Sequence, residues 1–148
     1  MGKKMKNKGC LIAFLVALAI AGIFAYATKV TLTPRDLSKE DPRQAFQSFV
    51  CSPLPKSVHD LTASGVVAFA GGGAYIDFRF DPRDHDRIIK EGQFRLADDK
   101  APQWIKEFQP EGIPRSVTRY VRTNEGMTET ALFVAEDRRR AWFREVQY

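Results

Sequence analysis

The stretch AYIDFRFDPRDHDRIIKEG, residues 74–92, changes its period half-way along, and that change decides the fold class. In its first half the side chains alternate: Ile76, Phe78 and Phe80 fall on one side, Tyr75, Asp77 and Arg79 on the other. A period of two with one apolar side is the pattern of a strand in a sheet with one buried face. Asp81-Pro82 then ends the strand and starts a helix. Asp81 is a capping residue type, Pro82 suits the first helical position, where no N–H is needed, and Asp84 sets negative charge at the positive end of the helix dipole. Ile88 and Ile89 carry the helix on to Gly92, which is expected at the left-handed position that follows a helix.

Working outward, residues 61–70 and 74–80 are predicted as the arms of a β-hairpin with Gly71-Gly72-Gly73 as its turn. The glycines lack both the G-x-G-x-x-G spacing and the Lys-Ser/Thr of a phosphate loop, and a strand follows them instead of a helix. Upstream, Asp41-Pro42 repeats the helix-start pattern. Ala45, Phe46, Phe49 and Val50 follow at helical spacing, which predicts a helix over about residues 42–50, ended by Cys51-Ser52-Pro53-Leu54-Pro55. Downstream, a short strand is expected over 93–97 and a short helix over 98–108, with Trp104, Ile105 and Phe108 on its inner side. Three strands at 116–123, 128–136 and 141–147 close the chain, turned by Asn124-Glu125-Gly126 and by Asp137-Arg138-Arg139-Arg140. This order predicts an α+β domain whose mostly antiparallel sheet packs one face against one or two helices. Phe69, Phe78, Phe80, Phe94, Trp104, Phe108, Phe133, Trp142 and Phe143 supply its core. Arg119, Arg122 and Arg144, with alternating carboxylates, are expected to cover the open face of the sheet.

The amino-terminal part reads differently. LIAFLVALAIAGIFAYA, residues 11–27, holds no charged residue and is apolar all round, unlike a buried helix with a polar face. At ~1.5 Å rise per residue, this run and its flanks approach the ~30 Å of a bilayer's hydrocarbon core. Lys3, Lys4, Lys6 and Lys8 precede it without an acidic residue, so the positive-inside rule keeps residues 1–10 in the cytoplasm and exports the rest. Two readings of 11–27 stay open: an uncleaved single-pass transmembrane helix, or a signal peptide cut after Ala27 at Ala25-Tyr26-Ala27. Lys6 stands where a myristoylation signal needs Ser or Thr, and Cys10 precedes the run, where a lipoprotein cysteine would follow it. The expected organisation is therefore a cytoplasmic segment 1–10, a membrane helix 11–27, a linker 28–40 and an exported domain 41–148. The location that follows is the bacterial inner (cytoplasmic) membrane, with the lipid bilayer as one partner.

The formal net charge of +5 is concentrated at the start. Four of the 23 basic residues precede the apolar run, leaving 19 against 18 acidic ones, so the exported part has no basic stripe and nucleic acid is not an expected partner. Cys10 and Cys51 fall on opposite sides of the membrane and cannot pair within one chain. Cys51 is read as a buried small hydrophobe, with an intermolecular disulfide as the alternative. Asp81, Asp84, His85 and Asp86 are read as helix capping, since consecutive helical residues point about 100° apart and cannot converge on one metal ion. Cys51 with His59 is the one conceivable nucleophile–base pair, and His59 is otherwise a polar loop residue. Arg138, Arg139 and Arg140 are read as a charged hairpin tip that an acidic partner or lipid headgroups could engage. No cofactor or metal pattern is present: HExxH, CxxC and GxSxG are all missing.

Leu54-Pro55-Lys56-Ser57-Val58-His59-Asp60-Leu61, the glycine-broken hairpin, the Phe78-Arg79-Phe80-Asp81-Pro82 step and the final hairpin resemble small uncharacterised bacterial membrane-anchored or lipoprotein-like proteins. The resemblance covers roughly residues 54–92. It implies a location and a small α+β fold, and carries no catalytic residues across. The function expected is binding of another envelope or membrane protein by the exported domain. The alternative is a small ligand-binding or enzymatic domain released after Ala27.

Overall fold

The computed structural model describes residues 12, 14–23, 33–68, 71–98, 101, 103–107, 112–114, 116–123 and 128–147. The chain divides into two compact units, Met1–Thr33 and Pro34–Tyr148. In the first, residues 12 and 14–23 are helical and make up the described part of α1. No helix among the described residues is long and apolar enough to cross a membrane. The remainder of 11–27, the lysines before it, Cys10 and the Ala25-Tyr26-Ala27 site lie outside the described residues, apart from Ile12.

The second unit is an α+β domain built on one seven-stranded antiparallel sheet. Its strands are β1 (Arg35–Asp36), β2 (His59–Ala68), β3 (Gly71–Arg79), β4 (Arg95–Leu96), β5 (Val117–Thr123), β6 (Thr128–Ala135) and β7 (Arg140–Gln147). Its helices are α2 (Pro42–Phe49), α3 (His85–Glu91) and α4 (Gln103–Glu107). The spatial order β1-β2-β3-β7-β6-β5-β4 is made of two hairpin systems joined where β3 pairs with β7. The stretch predicted as a linker, 28–40, gives its last part to this domain. Arg35 and Asp36 form the edge strand, Leu37 begins a 3-10 turn and is fully buried, and the Arg35 guanidinium forks both oxygens of Glu40 at 2.6 Å.

The alternation in β3 is as the sequence predicts: Ala74, Ile76 and Phe78 are buried and Tyr75 and Arg79 exposed. Helices α2 and α3 cover that face. Phe46 meets Phe78 edge-on at 4.9 Å, and Val50, Ile88 and Phe94 join Leu132, Val134 and Phe143 in one core. The sheet is covered on its other face as well. Ile105 of α4, with Ala101 and Ile113, packs on Val121, Ala131, Phe133 and Trp142 in a second core. The alternation of β6 and β7 provides for both: Leu132, Val134, Ala141 and Phe143 enter the first core, and Ala131, Phe133 and Trp142 the second. Phe69, Phe108 and the side chain of Trp104 lie outside the described residues, as does the Asn124-Glu125-Gly126 turn.

Three local expectations are corrected. The glycines do not form the turn: Gly71, Gly72 and Gly73 lie within β3, paired with Ala68, Val67 and Val66, and residues 69–70 fall outside the described part. Gly72 has φ +150°, and a Cβ there would stand 2.1 Å from the Val66 carbonyl oxygen, so glycine serves close strand approach. Second, Gly92 is helical, at φ −75°, and Gln93 takes the left-handed position at φ 57°. Gln93 N–H donates to Lys90 O and Phe94 N–H to Ile89 O, which is the paired closure of a Schellman motif. Gly92 is small because the Phe94 ring and Val50 O would lie 2.4 and 2.7 Å from any Cβ.

The third correction is Arg122. It was expected on the open face, with Arg119 and Arg144, but Tyr120 and Arg122 alternate with Val121 and so face the helices. Its guanidinium donates to Phe49 O at 2.8 Å and Gly92 O at 3.2 Å, the carboxyl ends of α2 and α3. It lies over the rings of Phe94 and Phe143 and 3.9 Å from Glu145. Arg119 over Phe133 and Arg144 on Asp77 lie on the other face, which was expected open but is covered by the second core, and Arg144 is buried.

Two stability outcomes follow from these positions. Arg122→Met is expected to lower unfolding free energy in urea by about 2–4 kcal/mol, since two helix-end carbonyls and Glu145 lose a charged partner. Gly72→Ala is expected to cost about 1–3 kcal/mol, read in the same melts, because the backbone conformation and the carbonyl contact both oppose a Cβ.

Candidate functional site

Three strand ends meet at one edge of the domain. The β2–β3 register sets His59 opposite Arg79, and the β3–β7 register sets Arg79 opposite Arg140. A bulge between His59 and Thr62, with Asp60 at φ 48°, breaks the ladder there and frees the His59 end of β2. The turn before β7 folds back onto this row. Phe80 N–H donates to Arg139 O at 3.0 Å, and Arg139 N–H donates to Asp137 Oδ1 at 3.0 Å. The result is an open pocket of about 520 Å³ lined by Ser57, His59, Arg79, Asp81, Pro82 and Arg139.

Each wall is held by its own hydrogen bonds. His59 Nδ1 lies 2.8 Å from Ser57 O, a carbonyl that only accepts, so Nδ1 carries the proton and Nε2 is left unbonded. Ser57 Oγ donates to Asp84 and accepts from Asp81 N–H, which ties the β2 approach to the start of the α3 region. Asp81 caps the 3-10 turn Pro82–Asp84 by accepting from Arg83 N–H. The Arg83 guanidinium forks the same carboxylate at 2.8 and 3.1 Å, and those bonds hold its carboxyl down at about 2. Arg79 stands 3.6 Å from Asp60 with both side chains more than half exposed, a loose pairing. The Arg139 guanidinium has no ion pair among the described residues.

The candidates read from the sequence thus separate. His59 and Arg139 are brought together. Arg138 sits at φ 54° on the turn, and Arg140, opposite Arg79 in the ladder and so on the same face, lays its guanidinium 4.9 Å over Trp142. His59, read as a loop residue, is the first residue of β2. Cys51 is 4 % exposed in the core with Phe46 and Val50, while His59 is exposed, and no hydrogen bond joins the two. The conceivable nucleophile–base pair is therefore not assembled. Ser57 and Arg79 were missed. Arg79 carried one signal, its place at the end of an alternating strand, but its neighbours depended on the distant pairing with β7.

The acidic cluster is also resolved. Asp81 and Asp84 are engaged as described, Asp86 is exposed, and His85 is buried. His85 Nδ1 lies 2.7 Å from Asp86 Oδ1 and Nε2 lies 3.1 Å from the Tyr120 hydroxyl. With Nδ1–H given to the carboxylate, Nε2 accepts the hydroxyl proton, and burial pushes the Tyr120 phenol up. This chain fastens α3 to β5. Among the described residues no group of three or more His, Cys, Asp or Glu side chains could hold a metal ion.

No family model, curated protein or solved structure matches the chain. Its functional reading rests on its own residues.

Cys51 yields a pH outcome. Burial pushes its thiol from the ordinary 9.0 up to about 11. The unfolded chain then releases this proton before the folded one does, so the stability that the neutral thiol contributes is complete below 9 and declines as pH rises toward about 11. Cys51→Ala is expected to flatten that decline in urea melts taken across this window, and the native thiol is expected to resist maleimide at pH 8 until denaturant is added.

Proposed function

We propose that this protein is a single-pass protein of the bacterial inner membrane, anchored by residues 11–27 with its amino terminus inside, whose exported domain works by binding a partner. The observation that carries the anchor is the uncharged apolar run itself. Within its described part Ile12, Phe14, Leu15, Val16, Leu18, Ile20 and Ile23 are each at least half exposed. At 100° per residue these positions lie all around α1, and water-exposed helices of soluble proteins do not present apolar side chains on every side. Lipid is the medium such a surface suits.

Partner binding is supported by the pocket at the His59 end of the sheet. Its two arginines are exposed and at most loosely paired, whereas the buried cysteine and the buried histidine are both committed to packing. Another envelope or membrane protein is the partner class proposed.

The test is the intact mass of the protein from carbonate-washed membranes and from the soluble exported fraction. Full-length chain in the membrane pellet, with a partner crosslinked through Lys56→Cys labelled beside the pocket, is the expected result. A soluble product beginning at Thr28 would overturn the anchor and favour a released ligand-binding domain. Full-length monomer without any crosslinked species would overturn the partner.

A further inference from the structure

We propose that the pocket between Arg79 and Arg139 is a binding site for a single phosphate group, carried by a lipid headgroup or by a small soluble molecule. The proposal rests on reading the exported domain as a binding module, and it names the chemistry that module recognises.

The balance of charge within the pocket is the starting point. Of the polar side chains lining it, Asp81 is a carboxylate forked by Arg83 and also within reach of the Arg139 charge, and Ser57 is engaged as donor to Asp84 and acceptor from Asp81 N–H. The groups left for a ligand are cationic or neutral: Arg79, held only at 3.6 Å by Asp60, Arg139, and the Nε2 edge of His59. Guanidinium forks match the planar and tetrahedral oxygen geometry of carboxylate and phosphate, and two of them balance the double charge of a phosphate. The His59 edge can accept from a phosphate hydroxyl or, protonated, donate to a phosphate oxygen.

The backbone fixes where the two arginine side chains begin. Arg139 is set by two main-chain hydrogen bonds, one to Phe80 and one to Asp137, and Arg79 is set by its register between His59 and Arg140. The pocket's volume of about 520 Å³ leaves room for the small molecule that would carry the phosphate. A second open pocket of about 370 Å³ adjoins it at His59 and is lined by Asp41, Arg43, Leu54 and Asp60, so the arginine pair occupies one end of the depression. Asp60, Asp84 and Asp137 stand around it, so a long acidic peptide would meet like charge where a compact dianion seated between the guanidinia would not. Phosphate is therefore favoured over a polyacidic segment.

The experiment is an NMR titration of the full chain in dodecyl maltoside micelles with inorganic phosphate at constant ionic strength. The signals read are the arginine Nε–H groups and the His59 ring. Saturating shifts at Arg79, Arg139 and His59 are expected, with the His85 ring unmoved. Arg139→Gln and Arg79→Gln are each expected to raise the dissociation constant by about tenfold or more, the worth of one charge-assisted hydrogen bond. Both positions are exposed, and an unchanged thermal midpoint shows that the fold is retained. Soluble dihexanoyl phosphatidate separates the sources: tighter binding than inorganic phosphate assigns a lipid headgroup, and equal or weaker binding a free phosphate. Shifts that do not saturate, or that are the same in both variants, overturn the proposal. So does binding of polyglutamate in the absence of phosphate binding. Failure here leaves the mass and crosslinking results standing, and a soluble cleaved product leaves this titration standing.

Discussion

The guanidinium of Arg122 is the interaction on which the helical layer depends. A helix ends with carbonyls that have no partner within it, and the negative end of its dipole collects there. In this domain two such ends, Phe49 O and Gly92 O, point at the same place, and one charged donor from near the end of β5 satisfies both. The aromatic rings of Phe94 and Phe143 lie against it and Glu145 stands nearby. Burial draws the Arg122 pKa down, while the Glu145 charge acts in the opposite sense. A neutral residue there would leave two dipole ends facing an apolar sheet. Packing of Phe46, Ile88 and Val50 supplies the bulk of the burial, and Arg122 fixes where along the strands the helices stop.

The same pairing that creates the sheet creates the pocket. Because β3 lies between β2 and β7, the end of β3 is flanked by the beginnings of both. Strand beginnings and ends at a sheet edge are where alternation ceases to matter and side chains project past the last layer of core. His59, Arg79 and the Arg139 turn are therefore neighbours for a topological reason. The acidic residues around them are used up by local needs: Asp81 as a cap, Asp84 by Ser57 and Asp137 by its own turn. What remains unsatisfied there is positive.

Local rules were legible along the chain. Asp41 and Asp81 cap where their patterns placed them, the β3 alternation put Ile76 and Phe78 inward, and the last three strands lie close to their predicted spans. The misreadings occurred where a neighbour distant in sequence set the geometry. Three glycines in a row look like a turn, yet Gly72 answers to Val66 O across the ladder. Gly92 looks like a left-handed cap, yet the Phe94 ring and Val50 O require its small size, and Gln93 takes the left-handed turn. Leu37, in a polar stretch read as a linker, is drawn into the core by the pairing of Arg35 and Asp36 with Val67 and Val66.

By itself the sequence determined the α+β class, the helix starts and the apolar character of residues 11–27, because period, capping chemistry and hydropathy act over a few neighbouring residues. Only the tertiary structure decided that the sheet is covered on two faces, that Arg122 turns inward, that Cys51 and His59 serve separate places, and that Arg79 and Arg139 share a pocket. Each of these depends on strand order, and strand order is set by the summed burial of many non-local pairs. No single stretch of the chain contains that sum.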